Sequence, residues 1–525
     1  MAITPDTTIK LLKVPIEIDN FNQLTFASKE AQYNYFNSCP QLEADDLYYQ
    51  RKDNYISFPA HIDDILQYNY VMYQNSNYSN KWFYAFITNM VYENDGTTNI
   101  FIETDVFQTW QFDIIYKASF IEREHVNDDT IGKNTIPENL NVGEVIEESY
   151  DEYLMGTPDP LFPDEDLYYF AIESTYNPIT NEDFTGSKKI NGNLFGSYIF
   201  CFGTESVDLT YIKNFLADMS SQSKIDSVLN FYILPKKLVD TITTTRLHKG
   251  STLGDYYLDY LNSSNESVTD SKNITKTHSF SGITIKNNKC FCYPYNYLLV
   301  SNNVGNHNIY KYEEFSDTTA NFEIEMAVSI GASVRIEPKN YKNIAKNYDE
   351  SLGLAKYLTA SWSSDAFTNW LTSQAVNITT SLISSLTNSL ITKNITNTAG
   401  NISSLIGEFY QASLLPSITG GNNNGDVNFS SKCNKFSFHH MRSKNEYMKQ
   451  IDDYFSMYGY KINNVKLPNI SGRTNWNYVK LVNANIEGNI PQLDLQKIKE
   501  IFNQGVTLWH NPSTFLDYTQ SNAII

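Results

Sequence analysis

Glu122-Arg123-Glu124-His125 sets two carboxylates, a guanidinium and an imidazole in consecutive positions. On a strand alternate residues share a face. Glu122 and Glu124 would then stand side by side, either exchanging protons with a substrate or closing a salt-bridged seam, and the seam is the commoner use of such a run. Cys290 and Cys292 flank Phe291 in what reads as a strand. Thiols on one face are half of a zinc site, but no second cysteine pair or spaced histidine pair completes it, and two small half-buried thiols are the simpler reading. His439 and His440 are adjacent, so their rings cannot share a helical face as zinc ligands do. There is no G-x-S-x-G elbow, Walker loop or H-E-x-x-H signature, and no residue set calls for a cofactor. With 59 Asp plus Glu, carboxylate pairs occur by chance. A glycosidase needs two carboxylates and no motif, so a cell-wall or polysaccharide-degrading enzyme stays open as the alternative reading.

The elements that must position these residues are mostly strands. Residues 82–102 form two β-prone runs around Asn94-Asp95-Gly96-Thr97, which predicts a hairpin with Gly96 supplying the positive φ of a tight turn. A short helix is expected at 104–112 and a strand at 114–124. Residues 156–166 (GTPDPLFPDED) and 177–193 read as loops, 211–238 as partly helical, and 262–277 as a Ser/Asn/Thr-rich linker. A second hairpin is expected from 295–300 and 308–315, followed by a strand or strand pair at 322–336. Asn445 to Tyr458 should be a helix closed by Gly459, 477–486 a strand, and 491–502 a helix with Pro early and Gly505 after its end.

The 525 residues are 41% hydrophobic and 19% charged, which excludes wholesale disorder. An aromatic fraction of 14%, carried by 38 Tyr and 30 Phe, favours pleated, half-buried surfaces. The formal charge of −20 repels phosphate backbones, so tight nucleic-acid binding is disfavoured, although a surface past which nucleic acid slides is not. Five cysteines, an odd number and mostly far apart, give no disulfide framework, and the N-terminal residues lack the basic and apolar regions of a secretory signal. The organisation expected is a β-rich part at 1–155, β-rich middle domains at 156–345, a low-charge stretch at 346–425 and an α+β part at 426–525.

That stretch is the most informative. Between Asp365 and Asp426 the only charged residues are Lys393 and Glu408. Trp362, Phe367, Trp370, Leu371, Ile378, Leu382, Ile383, Leu386, Leu390 and Ile391 recur mostly at intervals of three and four, the period of a helix with one apolar stripe. After a break at Ala399-Gly400-Asn401, a second run holds Ile402, Leu405, Ile406 and Phe409, and Leu414-Leu415-Pro416 ends it. Ser, Thr and Asn interrupt the apolar positions. A lone helix of this kind inserts poorly into lipid, whereas a bundle can insert through small and hydroxyl side chains. A helical hairpin buried in a protein core or interface is the simpler reading from the residues alone.

Several motifs bear a resemblance. SFIEREHVNDDT at 119–130, YPYNYLLV at 293–300, GDVNF at 425–429, YGY at 458–460, WNYVK at 476–480, GNIP at 488–491 and GVTLWHN at 505–511 occur in one order over most of the chain. Together they resemble the tail knob, or distal tail tube, proteins of phi29-like short-tailed phages (podoviruses). The resemblance implies a mainly β (α+β), multi-domain virion protein at the distal end of the tail, without enzymatic activity. It implies a hexameric, barrel-like tube carrying genomic DNA in transit without specific binding, joined to a proximal tail or lower collar protein. It also implies that an apolar loop from each copy plugs the channel and then enters host cytoplasmic membrane lipids as a pore. The sixteen apolar residues from Trp362 to Leu415 named above sit where that loop belongs, with Trp362 and Trp370 as interfacial anchors. Which residues face the DNA is not readable.

Overall fold

The computed structural model describes residues 6–47, 49–50, 55–76, 79–154, 168–190, 193–203, 206–242, 244–261, 268–301, 307–326, 333–341, 358–361 and 435–525. The chain forms two compact units. The first takes Met1–Gly143, Gly282–Cys290 and Asn445–Ile525; the second takes Glu144–Ser281 and Phe291–Lys444.

The first unit holds a seven-stranded sheet in the order Gln41–Leu47, Thr7–Leu12, Tyr70–Gln74, Phe83–Asn94, Thr97–Thr104, Tyr55–Phe58, Tyr49–Gln50. The two end strands are separated by a single residue of chain, so the sheet must roll until its ends approach. Alternation fills both faces. Ile9, Leu11, Val71, Tyr73, Ile100 and Ile102 pack into one core. Leu12, Tyr70, Met72, Tyr84 and Phe86 pack on the other face around Phe36 of the helix Lys29–Ser38. Ser28 caps that helix, its hydroxyl accepting from Ala31 N at 3.1 Å.

The hairpin Phe83–Asn94/Thr97–Thr104 forms as expected. Its turn differs, because Gly96 does not take a positive φ. Instead Asn94 Oδ1 accepts from Gly96 N at 3.0 Å, an Asx closure that supplies the bend by a side chain. The short helix appears as Val106–Trp110, capped by Asp105. The single strand expected over 114–124 is two, Ile114–Tyr116 and Ser119–Glu124, because each pairs in a different ladder.

A five-stranded sheet completes this unit in the order Asn22–Leu24, Val506–Trp509, Trp476–Val482, Ser119–Glu124, Tyr460–Lys466. Its first two strands run parallel. The helix Asn445–Tyr458 ends at Gly459 with φ +63°, and the helix Gln492–Gln504 lies between Pro491 and Gly505, as the capping residues predict. The strand expected over 477–486 appears as Trp476–Val482 and Ile486–Gly488.

The second unit has three main sheets. Helix Ser206–Ser221 lays Ile212, Phe215, Leu216 and Met219 against Phe170, Ile172, Phe200 and Phe202 of a five-stranded sheet. The partly helical reading of 211–238 holds up to Ser221; Val228–Pro235 is a strand, stabilised by pairing with Tyr168–Ser174. The polar stretch 177–193 contributes to two small ladders, Tyr176–Asn177/Glu182–Asp183 and Lys188–Ile190/Asn193–Phe195. The linker expected over 262–277 contains the strand Val268–Thr275, which gains its partner in Thr319–Met326. The second hairpin pairs Asn296–Ser301 with His307–Tyr310, and the strand pair is Thr319–Met326 with Ser333–Pro338. The loop expected at 156–166 lies outside the described residues.

Candidate functional site

All sixteen apolar residues singled out between Trp362 and Leu415 lie outside the described residues. The structure does describe both attachments of the stretch 362–434. The chain leaves from Leu358–Ser361, the end strand of the sheet Val268–Thr275, Thr319–Met326, Ser333–Pro338, Leu358–Ser361. It returns in Lys435–Ser443, an inner strand between Val145–Leu154 and Asn296–Ser301. The sheets share a core, in which Phe436 and Phe438 of the returning strand meet Phe322, Ile324, Met326 and Ile336. The stretch is therefore held at both ends by one packed body.

Ionic ties reinforce the returning strand. His439 Nδ1 lies 2.6 Å from Glu147. On the opposite face His440 is buried, with Nδ1 3.0 Å from Thr277 Oγ1 and beside the Tyr312 hydroxyl, and Nε2 3.6 Å from Asp151. Burial lowers the His440 pKa, against the raising effect of Asp151. Arg442 donates from Nε to Glu148 at 2.6 Å and is almost wholly buried. The adjacent histidines thus tie two different partners. Among the described residues no group of three or more His, Cys, Asp or Glu is placed to hold a metal ion.

The run Glu122–His125 is a seam. A bulge after Ile121 interrupts strict alternation. Glu122 pairs with Lys480 at 3.0 Å, Glu124 is fully buried beside Lys466, and Arg123 pairs with buried Glu138. Glu138 also accepts from buried Lys289 at 2.6 Å. Sequence reading missed these two because they lie 151 residues apart along the chain. His125 Nδ1 accepts from Tyr478 N at 2.7 Å, which leaves the proton on Nε2 to be donated to Ser456 O at 3.1 Å. Burial, helped by Arg473, pushes the His125 pKa down to about 3. Cys290 and Cys292 do not lie on a strand: Asn288–Phe291 is a 3-10 turn, and both thiols are buried and outside any disulfide. The local bend is set by Asp452, whose carboxylate accepts from Lys286 N and Asn287 N.

In the first unit a cavity of about 430 Å³ is lined by Phe26, Phe112, Tyr116 and Ile470, with Arg473 and His510 among its walls. Most of its polar groups are engaged internally, although among the described residues Arg473 Nε meets no hydrogen-bond partner. His510 contacts Thr25 Oγ1 at 2.7 Å and Asn477 Oδ1 at 2.9 Å; Arg473 donates to the carbonyls of Asn522 and Val126. Burial pushes the His510 pKa down to about 4. Among the described residues no helix is long and apolar enough to cross a membrane.

Comparison with known proteins gives the whole chain a context. The family described as "Bacillus phage phi29, Tail knob protein gp9, C-terminal domain" matches residues 259–415 and 411–523, and "Caudoviral major tail protein N-terminus" matches 5–117, the span of the rolled sheet. The tail knob protein gp9 of Bacillus phage phi29 is 26% identical, with 97% of this chain and 98% of the relative covered. That of Bacillus phage B103 is 26% identical over the full length of both. The solved structure of the bacteriophage C1 tail knob protein, gp12, superposes with a TM-score of 0.65 over 99% of this chain and 100% of its own, at 16% identity, which speaks for the shared fold. Because the tail knob gp9 match spans more than half of the residues, the chain belongs to the phi29 tail knob protein family.

Proposed function

We propose that six copies of this chain close into a conduit at the tail tip, and that their low-charge stretches, near Trp362 to Leu415, plug it and later perforate the host cytoplasmic membrane. As a tail knob protein the chain is a structural component at the distal end of the virion tail. The observation that carries the reading is the pairing of a nearly uncharged, apolar-striped stretch with attachment strands locked into one core. Such a stretch can change its surroundings while its roots stay in place. Six stretches on one ring have a high effective concentration, so weak insertion by each becomes cooperative. An acidic wall suits a DNA conduit, because it does not bind the phosphates that pass. The ring adjoins a proximal tail or lower collar protein, and the chain has no catalytic role of its own.

The test is deletion of residues 362–430, which spares both attachment strands. The deleted protein should still form six-fold rings but should no longer release dye from liposomes. Leakage equal to that of the intact chain overturns the perforation reading. Release of soluble sugar or peptide from purified Gram-positive walls would instead make the chain a wall-degrading enzyme.

A further inference from the structure

We infer that Lys10, Asn37 and Glu43 form a self-reacting site that joins Lys10 Nζ to Asn37 Cγ by an isopeptide bond. Lys10 lies in the middle of strand Thr7–Leu12, with Met72 beside it on one neighbouring strand and Glu43 directly opposite on the other. Its side chain is 8% exposed, on the sheet face that helix Lys29–Ser38 covers. Nζ is 2.8 Å from Asn37 Oδ1, in the last turn of that helix, and 3.1 Å from Glu43 Oε2. The Trp82 ring stands 6.0 Å from Nζ and is itself packed by Tyr33.

Two requirements of the reaction are in place, an amine held at an amide carbonyl and a carboxyl group touching the amine; the amine is nearly buried, while Glu43 keeps its outer edge in solvent. A C=O bond is about 1.2 Å long, so Asn37 Cγ lies within about 4 Å of Nζ. Reacting atoms meet at about 3–3.5 Å, a difference that rotation of the lysine end can close. The chemistry needs no other reactant. Glu43 takes a proton from the Lys10 ammonium, and the freed lone pair attacks Cγ as the carbonyl π pair moves onto Oδ1. Glu43 passes its proton to Nδ2 and takes a second one from Nζ. The Cγ–Nδ2 bond then breaks as the carbonyl re-forms, ammonia leaves carrying the last proton as ammonium, and Glu43 ends as it began. Nothing is oxidised or reduced. The product would staple the helix Lys29–Ser38 to the rolled sheet, in a protein whose described cysteines form no disulfide.

The experiment is intact mass and tryptic mapping of the purified full-length chain. The wild type should be lighter than its sequence by one ammonia, with Lys10 uncleaved by trypsin and its peptide linked to the one containing Asn37. Lys10→Arg and Asn37→Ala should restore the full mass. Glu43→Gln, at a half-exposed position where folding is tolerant, should stay folded but unlinked. A wild-type chain at full mass with Lys10 cleaved overturns the proposal. So does an ammonia loss that persists in Lys10→Arg, which would mark cyclisation of an asparagine on its own backbone.

Discussion

Two buried groups give the first unit opposing responses to acid. Asp105 is fully buried and its pKa is pushed up to about 6 by desolvation, in spite of hydrogen bonds from Gln108 N and the Tyr70 hydroxyl. Its folded value lies above its unfolded one. Its contribution to stability is therefore complete below the unfolded value near 3.8 and is lost as pH rises through about 6. Asp105→Asn keeps a capping oxygen for helix Val106–Trp110 and removes the ionisation. Urea unfolding should show the variant gaining on wild type between pH 4 and pH 7 by up to about 3 kcal/mol. His125 behaves in the opposite sense. Its folded value of about 3 lies below the ordinary 6.5, so its contribution is complete above 6.5 and is lost as pH falls toward 3. His125→Gln can both accept from Tyr478 N and donate to Ser456 O. It should cost less than about 2 kcal/mol at neutral pH and flatten the acid limb of the same urea titration.

At the scale of elements, Gly459 is the sharpest test. It ends helix Asn445–Tyr458 at φ +63°, and a Cβ there would lie 2.2 Å from the carbonyl oxygen of Glu124. Gly459→Ala must strain the backbone and part the helix end from strand Ser119–Glu124. Thermal and urea unfolding should report a loss of more than about 2 kcal/mol. That helix was legible in the sequence because its period and its cap agree, and the 83–104 hairpin because two β-prone runs flank four turn-forming residues. Val268–Thr275 was not legible. Its composition is that of a linker, and among its described side chains only Ile274 is fully buried; its pairing comes from residues some fifty positions later. Ser119–Glu124 was read one residue pattern too simply, since a bulge leaves no trace in composition. For the candidate site, the chemistry of the stretch was readable as missing charge, whereas its roots were not. Nothing in Leu358–Ser361 or Lys435–Ser443 alone says that their sheets share a core.

For the whole molecule, the proposed stretch is rooted in one of the two units alone. Its roots belong to the second unit. Asp365 and Glu408 are the two acidic positions at the head and within the second run of the stretch. Protonation lowers their insertion cost, so dye release from liposomes should rise between neutral and mildly acidic pH, and Asp365→Asn with Glu408→Gln should raise release at neutral pH and level the profile. A profile already flat in the unmodified protein counts against charge-limited insertion.

The parallel pairing of Asn22–Leu24 with Val506–Trp509 has a consequence for how the protein is made. The ribosome must travel through nearly the entire message before this contact can form, and the second unit is synthesised while the first waits open. A transcript broken anywhere upstream of residue 506 yields a product that lacks this closing strand. Only chains translated past that point can form this contact.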